Sequence, residues 1–249
     1  MSTSANLTAH PVAYFHPSHW GNYFQNTSPH DEATQLQMEQ ELEQLKEEVK
    51  KELVATSSKP LKQLIFIDAI ERLGVAYHYE EEIEEALQQV YESFHDQCDK
   101  DDLYHVSTRF RLLRQHGFRM PCGVFQKFMD EKEGFKDSIL DDMRGILSLY
   151  EASHVRIQGD DILDKAFVFT TAYLKSMQLN EKSCSHMADQ VAHALHQPLH
   201  KGFVRLESKH YISFYEQDSS HNEILLKFAK LDFNLLQQVH QKELRDISG

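Results

Sequence analysis

Apolar side chains recur along this chain every three or four residues, which is the spacing of one face of an α-helix. The pattern is first clear between Asp31 and Ala55, where the repeating positions are Met38, Leu42, Leu45, Val49 and Leu53. No segment shows the clean alternation of apolar and polar residues that a strand requires. The pattern therefore predicts an all-α protein of about ten helices, at 31–55, 61–73, 79–98, 103–115, 121–130, 137–150, 160–177, 184–196, 207–217 and 221–247.

The chain divides into an arm and a single helical domain. Residues 1–30 have no helical period and contain three of the six prolines, so we interpret them as an extended arm. Residues 31–249 form one domain in this interpretation, because no Gly/Ser linker or change of composition interrupts them. Periodicity alone leaves two architectures open, a closed barrel of paired helices and an open helical array.

Composition narrows the class of protein. The 249 residues carry 39 acids against 26 bases, a net charge of −13, which argues against a nucleic-acid partner. No apolar run reaches the ~18–20 residues of a membrane span. Three widely spaced cysteines, Cys98, Cys122 and Cys184, are typical of free thiols in a reducing compartment. Met1 to His10 resembles neither a secretory signal nor a basic transit peptide, so a cytoplasmic location is expected.

A D-D-x-x-D string, formed by Asp160, Asp161 and Asp164, is the most suggestive chemical feature. Carboxylates at these spacings on a helix can hold a divalent metal such as magnesium. The acids also suit the start of a helix, where negative charge is favoured by ~0.3–1 kcal/mol and Ser153 or Gly159 can precede the first turn. We favour the helix start and keep magnesium binding as the alternative.

A cluster rich in histidine is the other candidate metal site. His193, His196 and His200 fall at i, i+3 and i+7, with Cys184 and His186 nearby. Zinc accepts such ligands, but Pro198 should end the helix before His200, and no acidic partner is obvious. No nucleophile elbow, activated thiol or phosphate-binding loop occurs either. The sequence thus offers no catalytic, cofactor-binding or metal-ligating residue that we adopt.

Seven strings, in this order, resemble the N-terminal domain of plant terpene synthases. The likeness is to the cytosolic sesquiterpene branch, and it spans nearly the whole chain. The strings are Pro11–Gly21 (PVAYFHPSHWG), Phe66–His78 (FIDAIERLGVAYH), Phe110–Phe118 (FRLLRQHGF), Leu149–His154 (LYEASH), Gln197–His200 (QPLH), Tyr211–Glu216 (YISFYE) and Leu231–Leu236 (LDFNLL).

The resemblance implies a double-layered α/α-barrel that sits beside a catalytic helical bundle. In such enzymes the C-terminal domain holds magnesium (or manganese) and ionises a prenyl diphosphate, here farnesyl diphosphate. The strings of this chain match only the N-terminal half. We therefore expect that the catalytic domain is absent, that the chain alone is inactive, and that its partner is a C-terminal domain or a full-length synthase.

The resemblance also indicates whether the two acidic strings correspond to catalytic motifs of the family. Gly159 to Ala166 occupies a slot that belongs to the N-terminal domain, so the D-D-x-x-D string is out of register with the magnesium motif. Asp99 to Asp102 spells D-x-D-D, the acid motif of related class II cyclases. Alignment on Phe110–Arg114 puts Tyr104 in the proton donor's position, where a phenol of reference pKa about 10 is a poor acid. Asp99 to Asp102 is therefore expected to be a solvated loop.

Two segments of the chain are candidates for contact with a partner domain or protein. The resemblance implies that the arm, with Trp20, helps to close the catalytic pocket. The alternative is that Trp20 packs on the barrel. His10 stands where the family usually has arginine. The final helix carries apolar residues around much of its circumference, namely Ile224, Leu225, Phe228, Leu231, Phe233, Leu235, Leu236 and Val239. Part of such a helix should contact a partner, so a second possible function is a non-catalytic interaction module.

Overall fold

The computed structural model describes residues 32–93, 102–179 and 186–248. Those residues contain one isolated β-bridge, between Met129 and Phe135, and no helix with the length and apolarity that crossing a bilayer requires. The α-helices are α1 (Glu32–Ala55), α2 (Pro60–Arg72), α3 (Glu80–Glu92), α4 (Leu103–Gln115), α5 (Met143–Ser153), α6 (Asp161–Leu179), α7 (His186–His196), α8 (Val204–Gln217) and α9 (Glu223–Ser248).

The helices form two concentric layers. In the inner layer, α2 contacts α4, α4 contacts α5, α5 contacts α7, α7 contacts α8, and α8 returns to α2. This closed ring excludes an open array and confirms the double-layered α/α-barrel. The outer layer covers the ring: α3 packs on α2 and α4, α6 on α5 and α7, and α9 on α8, while α1 lies in the same outer layer and packs on α9 and α2.

The hydrophobic core lies where the two layers meet. Its fully buried side chains come from both, including Ile67 and Phe110 of the inner ring and Leu53, Leu87 and Phe228 of the outer layer. Nine of the 13 residues of α4 are buried. This helix is enclosed on most sides because it has the outer layer on one side and the inside of the ring on the other.

Local sequence explains where several helices begin and end. Asp102 caps α4 by accepting a hydrogen bond from the His105 amide at 2.9 Å, and Asp142 caps α5 in the same way. Pro60 opens α2, where its missing N–H costs nothing. Gly74 follows α2 with a φ of 77°, a left-handed conformation that suits glycine after a helix.

The structure corrects some predicted helix limits. Residues Cys122–Phe128 form a 3₁₀-helix instead of an α-helix, because Pro121 and Gly123 are poor helix formers and the bridge at Met129 ends the segment. The stretch predicted at 137–150 is a short 3₁₀ turn followed by α5. The predicted arm (1–30), and with it Trp20 and His10, lies outside the described residues, as do Cys98 and Cys184. The division of the chain at residue 30 stays a prediction.

Candidate functional site

The inner ring borders a cavity of about 340 Å³. All five inner helices line it, and many of the lining side chains are polar. A second cavity, of about 120 Å³, shares Arg72, Arg111, Leu199 and Glu207 with the first. The lining residues that carry charge or stack on a charge are Asp68, Arg72, Tyr104, Arg111, Arg144, Glu151, His193, Glu207, Tyr211 and Asp218.

Helical spacing explains why these side chains meet. Tyr104, Thr108 and Arg111 of α4 stand at i, i+4 and i+7, which is one face of a helix. Arg144, Ser148 and Glu151 repeat the spacing on α5, and Glu207, Tyr211 and Phe214 repeat it on α8. On α4 and α5 these positions present polar side chains to the cavity, and on α8 the same face carries Glu207 and Tyr211 beside the apolar Phe214.

Asp68 of α2 faces two arginines, Arg111 of α4 and Arg72 of α2 itself. The Arg111 guanidinium donates to the Asp68 carboxylate, and both side chains are almost fully buried. Arg72 Nη1 lies 3.9 Å from the other Asp68 oxygen, too far for a hydrogen bond. Its guanidinium carbon instead lies 4.0 Å from the centre of the Tyr211 ring, a cation–π contact.

Glu151 is a buried acid of this cavity. It is 9% exposed, and one carboxylate oxygen accepts a hydrogen bond from the Leu199 amide at 3.0 Å. Burial raises the pKa of Glu151 to about 7, although the charge of Arg72 opposes the shift. The carboxyl group therefore changes its protonation state near neutral pH.

Tyr104, which the sequence predicts in the position of the proton donor of class II cyclases, lines the cavity. Burial is the main cause that raises its pKa above the ordinary value for tyrosine. The phenol oxygen accepts a hydrogen bond from Arg144 at 2.9 Å, and the Arg144 guanidinium lies 3.9 Å from the ring centre. A phenol made weaker still as an acid is unsuited to protonating an alkene.

The D-D-x-x-D string lies on the outer layer. Asp160 is the residue before α6, not part of its first turn as predicted, and it accepts a hydrogen bond from the Ile157 amide at 2.9 Å. Both of its oxygens also accept hydrogen bonds from Arg114. Asp164 pairs with Arg156 at 2.9 Å, and Asp161 is exposed in the first turn. The string therefore serves the start of a helix, and two of its three acids face arginines.

The structure describes part of the two other predicted clusters, the D-x-D-D string and the histidine cluster. Asp102 caps α4, while Asp99 and Asp101 lie outside the described residues. His193 Nε2 lies 2.7 Å from Glu207 Oε2, so the expectation of no acidic partner was wrong. His200 lies in the 3₁₀ turn Leu199–Lys201, beyond the end of α7, as Pro198 predicted. Over the described ranges, no group of three or more His, Cys, Asp or Glu side chains is arranged to hold a metal ion.

The charged cavity was not predicted from the sequence, although the strings that carry the resemblance contribute residues to it. Phe66–His78 contains Asp68 and Arg72, and Leu149–His154 contains Glu151. The signal that could have found the site is a polar stripe at i, i+4 and i+7 on helices whose opposite face is apolar. Which stripes face each other depends on how the ring closes.

The closed double ring and its match to known proteins define the class of this chain. A sequence model of the terpene synthase N-terminal domain matches residues 19–195. The chain belongs to the terpene synthase family and corresponds to that N-terminal domain. It is similar to valencene synthase of Vitis vinifera, with 50% identity over 96% of this chain and 43% of the relative. It is also 47% identical to (E)-beta-farnesene synthase of Citrus junos, over 98% of this chain and 43% of the relative.

Solved structures confirm the fold. Isoprene synthase from grey poplar superimposes with a TM-score of 0.81 and 35% identity, over 95% of this chain and 44% of that one. Limonene synthase superimposes with a TM-score of 0.80 and 31% identity, over 93% of this chain and 43% of that one. The chain thus spans less than half the length of the relatives it matches.

Proposed function

We propose that this chain is the non-catalytic N-terminal domain of a sesquiterpene synthase, which supports a C-terminal domain that converts farnesyl diphosphate to a terpene. The observation that carries the proposal is the 50% identity to valencene synthase over 96% of the chain, together with the match to the N-terminal domain model. In this proposal the domain acts as a scaffold, and the arm 1–30 helps to close the partner domain's pocket.

The described residues support a non-catalytic role. Asp160 and Asp164 are bound by arginines, and Tyr104 is held as a weak acid. Ionisation of a diphosphate needs a cation, usually magnesium, to neutralise the departing charge. A poplar isoprene synthase has been solved with three Mg²⁺ ions and a thiolodiphosphate analogue, and this chain covers 40% of it. We therefore assign magnesium to the C-terminal domain of the complete enzyme.

A chimaera tests the proposal. Residues 1–249 would replace the matching N-terminal portion of grape valencene synthase, and terpene formation from farnesyl diphosphate and magnesium would be measured by gas chromatography. The chimaera should form sesquiterpene, while the isolated chain should form none above a blank. Terpene from the isolated chain, or a folded chimaera without activity, would contradict the proposal.

A second function, as an interaction module that pairs with full-length synthases, has one observation in its favour. The last turns of α9 expose Val239, Leu244 and Ile247, and Ile247 is 83% exposed. Apolar side chains on a helix surface favour association. Light scattering of the isolated chain at high concentration is the test: a monodisperse monomer argues against the module. A cytoplasmic location is part of both proposals.

A further inference from the structure

Arg72 is a partly buried cation, with 27% of its side chain exposed, and its hydrogen bonds are incomplete. It lies on the shared wall of the two cavities of the barrel. Its Nε–H is buried and has no hydrogen-bond partner, and its nearest carboxylate contact, to Asp68, is 3.9 Å long. Leaving a buried donor on a charged group without an acceptor is costly. The Nε–H itself is inaccessible, so an acceptor in the cavity would reach the guanidinium through the 27% of the side chain that is exposed.

The acids around Arg72 are already engaged. Asp68 accepts from Arg111, and Glu207 lies 2.7 Å from His193 Nε2. Glu151 accepts from the Leu199 amide and carries only part of a negative charge near neutral pH, because burial raises its pKa to about 7. Asp218, at the cavity edge, accepts from the amide and hydroxyl groups of Ser220.

A second arginine borders the same cavity. The Arg144 guanidinium carbon lies 3.9 Å from the centre of the Tyr104 ring, and that of Arg72 lies 4.0 Å from the centre of the Tyr211 ring. A cation–π contact leaves the N–H groups able to donate, and the planar fork of a guanidinium matches the geometry of carboxylate and phosphate groups. Arg144 uses one Nη to donate to the Tyr104 hydroxyl. The hydroxyls of Thr108 and Ser148, 3.0 Å apart, add further polar groups to the wall.

We propose that the barrel cavity binds a small oxyanion, a carboxylate or phosphate group, with Arg72 as its main ligand and Arg144 as the second. A volume of about 340 Å³ lies within the range of small-molecule sites. The arginines disfavour a metal cation, and the net charge of −13 disfavours a polynucleotide. This function is separate from synthesis of a terpene and does not depend on a C-terminal domain.

Titration calorimetry of the chain 1–249 tests the proposal with two probes, inorganic phosphate and succinate, at ionic strength matched with chloride. Either probe should bind saturably, and the tighter of the two identifies the preferred group. Calorimetry is preferred to thermal shift, because phosphate also stabilises proteins by exclusion from their surface. Absence of saturable binding of both probes would overturn the proposal.

Three variants locate the site. Arg72→Gln removes the main ligand and should weaken binding by tenfold or more, an expected loss of at least ~1.4 kcal/mol. Arg144→Gln should weaken binding less than Arg72→Gln does. Because the Arg144 side chain is exposed, this variant should fold even if Arg72→Gln does not. Arg119→Gln removes the same charge from an exposed position that does not line the cavity and should bind like the parent. Equal weakening in all three, or unchanged binding in folded Arg72→Gln and Arg144→Gln, would reject the site.

Discussion

Asp160 and Arg114 are joined by two hydrogen bonds across 46 residues of chain, one of them 3.2 Å long from Nη2 to Oδ1. Arg114 also donates to the Met120 carbonyl through Nε at 3.0 Å. The pair joins the end of α4 in the inner ring to the start of α6 in the outer layer. It accounts for Asp160 as a structural residue and removes it from the metal ligands that the D-D-x-x-D string suggested.

Replacement of Asp160 by alanine should destabilise the protein. The change leaves the Arg114 charge nearly buried without its partner and removes the acceptor of the Ile157 amide, and such losses cost about 3–5 kcal/mol. Urea unfolding should show the difference. Asp161→Ala is the matched control, because Asp161 is exposed beside it and should change stability by about 0.5 kcal/mol or less. Equal effects at both positions would show that the pair is unimportant.

Magnesium should not bind to this string. Two of the three carboxylates face arginines, and ion pairing competes directly with metal coordination. Isothermal titration of the chain with magnesium chloride should give no saturable heat, and the triple variant Asp160→Ala, Asp161→Ala, Asp164→Ala should give the same trace. Saturable binding that disappears in the triple variant would restore the magnesium hypothesis.

Gly74 should be required for the contact that closes the inner ring. A Cβ added there would lie 2.9 Å from Ser208 Cβ of α8, and the φ of 77° also disfavours any side chain. Gly117 has a similar φ of 83° with nothing within 4 Å of an added Cβ. Gly117→Ala should therefore cost about 1–2 kcal/mol from the backbone alone, and Gly74→Ala about 1–3 kcal/mol more from crowding. Thermal unfolding of both variants separates the two costs, and equal losses would rule out crowding.

Glu151 should make stability fall as pH rises through the weakly acidic range. Its folded pKa of about 7 lies above the reference value of 4.5, so the folded state holds the proton more tightly than the unfolded state. The resulting stability is fully present below pH 4.5 and is lost as pH rises to about 7. Glu151→Gln keeps an acceptor for the Leu199 amide and should be more stable than the parent by ~2–4 kcal/mol above neutrality. The free energy of unfolding in urea, measured for both proteins between pH 4.5 and pH 8, checks this prediction. If the two free energies change with pH in parallel, the prediction is wrong.

His116 should be protonated at a higher pH than an ordinary histidine. The hydrogen bond to Glu71, 2.6 Å long, is the main cause that raises the pKa of His116, and Glu84 adds to it. Because the folded pKa is raised, the stability from this contact is fully present below the unfolded pKa of about 6.5 and is lost as pH rises through the folded value. NMR titration should place the His116 midpoint above 6.5, and Glu71→Gln should lower it. A midpoint that Glu71→Gln leaves unchanged would assign the shift to another group.

Most helices could be predicted from the sequence because each carries its own apolar stripe. The predicted limits of α2 and α4 differ from the observed ones by no more than one residue. The segment at 121–130 failed because it is too short for periodicity to distinguish an α-helix from a 3₁₀-helix. Gly159 and Ser153 were both reasonable caps for α6, yet Asp160 takes that position because Arg114 and the Ile157 amide hold its carboxylate there.

The amino-acid sequence by itself determined the all-α class and, through strings such as Phe66–His78 and Phe110–Phe118, the family. Those properties are local, since they depend on spacing within one helix or on residue identity. Only the tertiary structure decided that Asp160 pairs with Arg114 and that Glu207 pairs with His193. It also decided that Arg72 borders a cavity and has incomplete hydrogen bonds. Burial makes each of these charges depend on a residue from another part of the chain, and those partners meet only when the ring of helices closes.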